Sequence, residues 1–109
     1  MVGNRKSETI SHSILKHLIA SILERRGHIV FIEFHLSDGF PDSPIADVFD
    51  KTTGLVYEIQ SRRQKKTEKE KCNRYLLHIG ITDVIFVYVT DFTIQMQCNL
   101  LYKFLEAKI

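Results

Sequence analysis

Six consecutive apolar residues at positions 84–89, Val-Ile-Phe-Val-Tyr-Val, place the tightest constraint on this chain. A run of that length without polar alternation is the pattern of a strand covered on both faces, and it predicts a strand in the centre of a sheet. Such a strand needs layers above and below it, and helical periodicity supplies them. Over residues 8–26, Ile10, Ile14, Leu15, Leu18, Ile19, Ile22 and Leu23 make one apolar face. Ser7 is placed to cap that helix, Arg25 and Arg26 suit the negative end of its dipole, and Gly27 offers the left-handed residue that ends it. Residues 62–79 are charged at first and then carry Cys72, Tyr75, Leu76 and Ile79 at helical spacing, with Gly80 as a stop. Residues 96–107 align Met96, Leu100, Leu101, Phe104 and Leu105 on one stripe and predict a closing helix.

Three further strands are predicted between the first two helices. Residues 29–36 are rich in β-branched and aromatic types, and the turn-forming residues 37–44 follow as a loop. Residues 45–50 and 55–61 are joined by Lys51-Thr52-Thr53-Gly54, a connection short enough to make an antiparallel hairpin. The order is helix, three strands, helix, strand, helix. The expected fold class is therefore α/β, with a mixed central sheet flanked by helices. A chain of 109 residues is long enough for one core and too short for two, so residues 1–109 are read as a single domain.

Composition removes several classes. With 44% hydrophobic and 26% charged residues the chain is neither fibrous nor disordered. No stretch reaches the roughly eighteen apolar residues of a membrane span, and the polar start lacks a signal-peptide core, which predicts an intracellular (cytoplasmic) protein with no membrane partner. Cys72 and Cys98 lie far apart and read as packing residues. The five histidines lack the spacing of a zinc site, and neither a phosphate-binding Gly-rich loop nor a nucleophile elbow is present.

The hairpin carries the chemistry. Side chains alternate along a strand, so Glu58 and Gln60 project to one face with Val56, while Leu55, Tyr57 and Ile59 project to the other. Asp47 lies on the preceding strand, where cross-strand neighbours approach within about 5 Å. Two carboxylates brought together disfavour each other's ionisation unless a cation joins them. Mg²⁺ or Mn²⁺ suits such a pair, because an oxygen-seeking dication needs only one or two carboxylates when water and phosphate oxygens complete its shell. A bound water is then an available nucleophile, with Gln60 placed to orient it.

Pro44-Ile45-Ala46-Asp47, a hairpin, and Glu58-Ile59-Gln60 resemble the signature of the PD-(D/E)XK nucleases, in the variant with Gln in place of Lys. The flanking elements, over about residues 7–89, follow that family's order. Glu58-Ile59-Gln60-Ser61, Tyr75 and Gly80-Ile81 look most like its competence-associated and Holliday junction resolvase-like branches. The resemblance implies a restriction endonuclease-like αβββαβ core with a C-terminal helix, and metal-dependent hydrolysis of DNA. It implies Asp47 and Glu58 as metal ligands, Asp47, Glu58 and Gln60 as catalytic residues, and a homodimer as a reasonable assembly. Two departures stand out. Gln60 lacks the charge of the usual Lys. Where many members have an acid on the first helix, this chain offers His12, Lys16 or Glu8, so that role stays unassigned among them.

Directly after the motif, residues 62–71 hold six basic residues and two acidic ones. Such a run is ordinarily a solvated helix face. Here Arg62, Arg63, Lys65, Lys66 and Lys69 are candidates for gripping phosphates on either side of the scissile bond, and the lack of interleaved aromatics favours duplex or branched DNA over single strands. His12 and Lys16 are accessory candidates. Two rival readings stand beside the nuclease. One is a nucleic-acid-binding module without turnover, and the other is a protein-interaction domain using the C-terminal apolar stripe.

Overall fold

A computed structural model describes residues 10–36, 44–91 and 98–109 of the chain. Helix α1 spans Ile10–Arg25, and its apolar stripe is the heart of the core: Leu15, Ile19, Ile22 and Leu23 are at most 2% exposed. Burial of side chains this size stabilises a fold by about 1.5–3 kcal/mol each. The helix ends as its sequence predicts. Gly27 takes φ +87°, and the His28 amide reaches back to the Leu23 carbonyl at 3.1 Å, the long bond of a Schellman cap. The Ser7 cap, Glu8, loop residues 37–43 and Met96 lie outside the described residues.

Strands β1 (Val30–His35), β2 (Ile45–Asp50), β3 (Leu55–Gln60) and β4 (Asp83–Tyr88) form one mixed sheet in the order β1-β2-β3-β4. The first three run antiparallel, and β4 runs parallel to β3 after the crossover helix α2 (Lys65–Leu76). A single 3₁₀ turn, Val89–Asp91, follows β4, and helix α3 spans Cys98–Lys108. Helices α1 and α3 cover one face, where Val48, Tyr57, Ile59 and Val87 meet Leu15, Ile19 and Leu105. Helix α2 covers the other, where Tyr75 packs with Ala46, Phe49, Val56 and Val84. The α/β architecture and the expected element order are both present. Among the described residues, no helix is long and apolar enough to cross a membrane.

Three expectations need correction. Helix α2 stops at Leu76, short of Gly80, so Ile79 lies beyond it and is fully exposed, and Leu76 is 44% exposed, off the buried stripe. The run at 84–89 is not in the sheet's centre: among the described residues β4 pairs with β3 alone and lies at an edge. Helices on both of its faces account for its apolar composition, and neither fixes its place in the strand order. Phe104, expected on the inner stripe of α3, is 42% exposed, while Leu105 beside it is fully buried.

The hairpin turn is held rigidly. Asp50, fully buried, accepts the amides of Thr52 and Thr53 at 3.0 and 3.3 Å through one oxygen, and its other oxygen lies 2.6 Å from His28 Nδ1. Gly54 takes φ +79°, and a Cβ there would stand 2.5 Å from the Gly80 carbonyl oxygen, so only glycine fits. Its own carbonyl accepts the Thr82 amide at 2.8 Å, which couples the hairpin to the entry of β4.

Candidate active site

Strand alternation breaks at one level of the sheet. Val30 and Ile32 pack toward α1, whereas Phe34 and Leu36, also even-numbered, pack toward α2. The reversal falls on Glu33, a non-glycine residue at φ +52°. Strand β2 reverses at the same height, since Val48 faces α1 and Ala46 faces α2, and the residue between them is Asp47. Holding a non-glycine residue in the left-handed region costs on the order of 1–3 kcal/mol, and such strain collects at functional sites.

At this level β2 and β3 come apart. Their ladder ends at Val48↔Tyr57, and the next pair in register is Asp47 and Glu58. The two acids take over the missing backbone bonds: Asp47 Oδ2 accepts the Ile59 amide at 2.9 Å, and Glu58 Oε2 accepts the Asp47 amide at 3.0 Å. Both side chains are buried, at 8% and 6% exposure. Each carboxylate is thus fixed by the other's strand, which is a tighter juxtaposition than side-by-side neighbours on one face.

Their surroundings differ. Asp47 turns toward α1, where His12 Nε2 lies 3.5 Å from Oδ2, an electrostatic neighbour beyond good hydrogen-bond length. Burial pushes the Asp47 carboxyl up, but His12, the Ile59 amide and the Lys16 charge outweigh it and hold the group below the ordinary range. Lys16 is itself buried on the inner face of α1 and donates to Glu33 Oε2 at 3.1 Å. Glu58 turns toward α2. Burial, and then the charge of Asp47, raise it to about 7, against the opposing pull of the Asp47 amide, Tyr75 and Lys71. Of two adjacent acids, one stays ionised and the other keeps its proton close to neutrality.

Gln60 does not join the carboxylates directly. Its amide nitrogen donates to Glu68 Oε2 at 3.1 Å, and its oxygen accepts Lys71 Nζ at 3.2 Å. Glu68 also accepts the Gln64 amide at 2.7 Å and the Tyr88 hydroxyl, so it ties the start of α2 to both β3 and β4. Lys71 Nζ stands 3.8 Å from Glu58 Oε1. Tyr75, whose hydroxyl donates to the Ile45 carbonyl at 3.0 Å, is raised by burial and by Glu58 beside it. Glu58, Lys71, Arg74 and Tyr75, with Pro44 and Ile45, line a cleft of about 200 Å³ on the α2 side.

Tyr75 enters the sequence reading only through the helical stripe and the family resemblance, and Lys71 is not a candidate there at all, yet a signal for Lys71 exists. It falls at helical spacing from Glu68, Cys72 and Tyr75 on the side of α2 that faces the sheet, half-buried, with its ammonium turned to Gln60 and Glu58. Lys16 interrupts the apolar stripe of α1 in the same way. The basic run divides: Arg62, Arg63, Lys65, Lys66 and Lys69 are exposed, and Arg63 lies 4.3 Å over the Tyr88 ring.

The donor atoms limit what cation can fit. Among the described residues, no three His, Cys, Asp or Glu side chains converge as a metal-binding group, so a closed zinc-like site is not formed. Asp47 Oδ1 and Glu58 Oε1 are the oxygens not engaged by strand amides, the first on the side of α1 and the second beside Lys71, and carboxylate oxygens of this kind are what a hydrated, oxygen-seeking dication takes. No family model, no curated protein and no solved structure matches this chain.

Proposed function

We propose that the protein is a Mg²⁺- or Mn²⁺-dependent deoxyribonuclease of the PD-(D/E)XK type, with a restriction endonuclease-like fold, acting on duplex or branched DNA. The observation that carries this reading is the meeting of Asp47 and Glu58 at the one level where β2 and β3 separate. Nothing in a purely structural hairpin calls for two buried acids with opposite pKa displacements at one point.

Asp47 and Glu58 would hold the cation, which when bound activates water and neutralises charge on the phosphodiester. The chain's own residues do the rest. His12 and Lys16 keep Asp47 ionised. Gln60 acts as a positioning residue: its oxygen holds the Lys71 ammonium beside Glu58, so that a cation from α2 stands where the usual motif lysine is missing. Lys71 and Arg74, both lining the cleft, face an approaching phosphate with positive charge, while Arg62, Arg63, Lys65, Lys66 and Lys69 grip flanking phosphates.

The test is cleavage of duplex and four-way-junction DNA with Mg²⁺ or Mn²⁺. Asp47→Ala and Glu58→Ala should each abolish cleavage with the circular dichroism spectrum unchanged, and persistence of cleavage in both variants would remove the site. A second reading, DNA binding without turnover, draws on Lys71 Nζ standing 3.8 Å from Glu58, where it partly serves as the counter-cation. Calorimetric titration separates them. DNA binding with no heat from Mn²⁺ and no cleavage would favour the second.

A further inference from the structure

Two acids and two bases form a square on the α1 side of the sheet. The β1–β2 register, with Ile32↔Val48 and Phe34↔Ala46, sets Glu33 directly across from Asp47. On α1, His12 and Lys16 are four residues apart and so lie on one helix face, about a turn from each other. His12 Nε2 stands 3.5 Å from Asp47 Oδ2, and Lys16 Nζ donates to Glu33 Oε2 at 3.1 Å. Each strand acid is thus met by its own helix base.

Regular alternation would not put Glu33 there. Val30 and Ile32 pack toward α1, so an ordinary strand would turn Glu33 to the opposite face. At φ +52° its carboxylate reaches α1 instead, where the Lys16 side chain, 1% exposed, meets it. A backbone conformation this uncommon for glutamate persists only where its surroundings hold it, and the ion pair with Lys16 is part of that hold.

The placement of this ammonium matters to Asp47. A buried ammonium that loses its carboxylate partner either gives up its proton or moves to another acid within reach. Directly across the strand pair that acid is Asp47, on which the Lys16 charge already acts and whose Oδ1 is not taken by a strand amide. An ammonium seated on Asp47 repels a dication and occupies one of its two carboxylate ligands. We propose that Glu33 is a positioning residue of the carboxylate site: by holding the Lys16 ammonium on β1, it keeps Asp47 open to the metal ion. This role rests on the reading of Asp47 and Glu58 as metal ligands, and adds to it a control on how readily the ion enters.

Mn²⁺ binding to the full chain, followed by electron paramagnetic resonance, tests the role, with Asp47→Ala marking which ion belongs to the site. The wild type should bind a Mn²⁺ ion that Asp47→Ala loses. Glu33→Gln keeps the length and polarity of the side chain and should weaken that binding by roughly tenfold or more, the scale of a lost partner behind a metal ligand. Removing a nearby negative charge weakens cation binding in any case, so the deciding comparison is a double-mutant cycle. In a chain that already carries Lys16→Met, no ammonium is left to relocate, and adding Glu33→Gln should cost several-fold less affinity than it does in the wild type. A wild-type readout needs no variant to fold: in nitrogen-15 magnetic resonance, the Lys16 ammonium should stay paired with Glu33 when Mg²⁺ saturates the site. Equal losses in the two backgrounds, no loss in Glu33→Gln, or an ammonium that leaves Glu33 as Mg²⁺ binds would overturn the role of Glu33 and leave the metal site standing. A wild type with no Mn²⁺ that depends on Asp47 would overturn both.

Discussion

Replacing Glu58 by Gln should make the metal-free protein more stable above neutral pH, although it removes a residue of the proposed active site. Carrying a buried carboxyl from its ordinary 4.5 to about 7 corresponds to about 3 kcal/mol of differential interaction between its two protonation states. Because the folded-state value is raised, the native state binds the extra proton between those limits. Stability from this group is fully present below about 4.5 and is lost as pH climbs through about 7. Asp47 is displaced the other way, so its contribution is lost only as acid drives the pH down through its depressed value, and it stays constant across the neutral range. Gln keeps an oxygen to accept the Asp47 amide but places an amide nitrogen near Lys71, which removes part of the gain. The expected outcome is a variant similar to wild type at pH 5 and more stable by about 1–3 kcal/mol at pH 8.5. Urea denaturation in the presence of a chelator at the two pH values measures it, and the difference between the two proteins cancels the histidines. Added Mn²⁺ should then raise the wild type's midpoint at pH 8.5 and leave that of Glu58→Gln nearly unmoved. A wild type that loses no more stability than the variant between pH 5 and 8.5 would refute the reasoning.

Three further outcomes are expected. Lys71→Ala should lower the cleavage rate by roughly a hundredfold, the scale of one lost charge-stabilising donor, while Lys69→Ala on the exposed side of the same helix should barely change it; single-turnover kinetics would read both. Lys65→Ala and Lys66→Ala should each weaken DNA binding without altering its preference among sequences and reduce the salt dependence of binding by about one counterion, as followed by fluorescence anisotropy across a salt series. Gly54→Ala should cost about 2 kcal/mol or more of stability in chemical denaturation, because the alanine would be strained at φ +79° and would press on the Gly80 carbonyl.

Much of the fold is written in local pattern. The stripe of α1, the Gly27 cap and the Asp47–Glu58 register all follow from helical spacing, a left-handed terminator and a turn of four residues, Lys51–Gly54. What escaped local pattern was set by tertiary contact. The left-handed Glu33 opposite Asp47 leaves no trace in composition, since glutamate has no preference for that conformation, and the reversal of facing that it marks redirects Asp47 from α2 toward His12. Lys71 is one of six basic residues in its run, and its spacing to Cys72 and Tyr75 is the one local cue that separates it from its neighbours; its contacts with Gln60 and Glu58 come only from the packing of α2 on the sheet. The edge position of β4 among the described residues leaves no mark in the sequence for a related reason: a strand covered by helices on both faces has the same composition at an edge as in the middle.

A crystal grown near pH 8 and soaked in Mn²⁺ puts the question most directly, through anomalous difference density at the manganese edge. A peak bridging Asp47 and Glu58, absent from a Glu58→Gln crystal treated identically, is the expected result. Density elsewhere on the molecule with none between these two carboxylates, at a manganese concentration that supports cleavage, would contradict it.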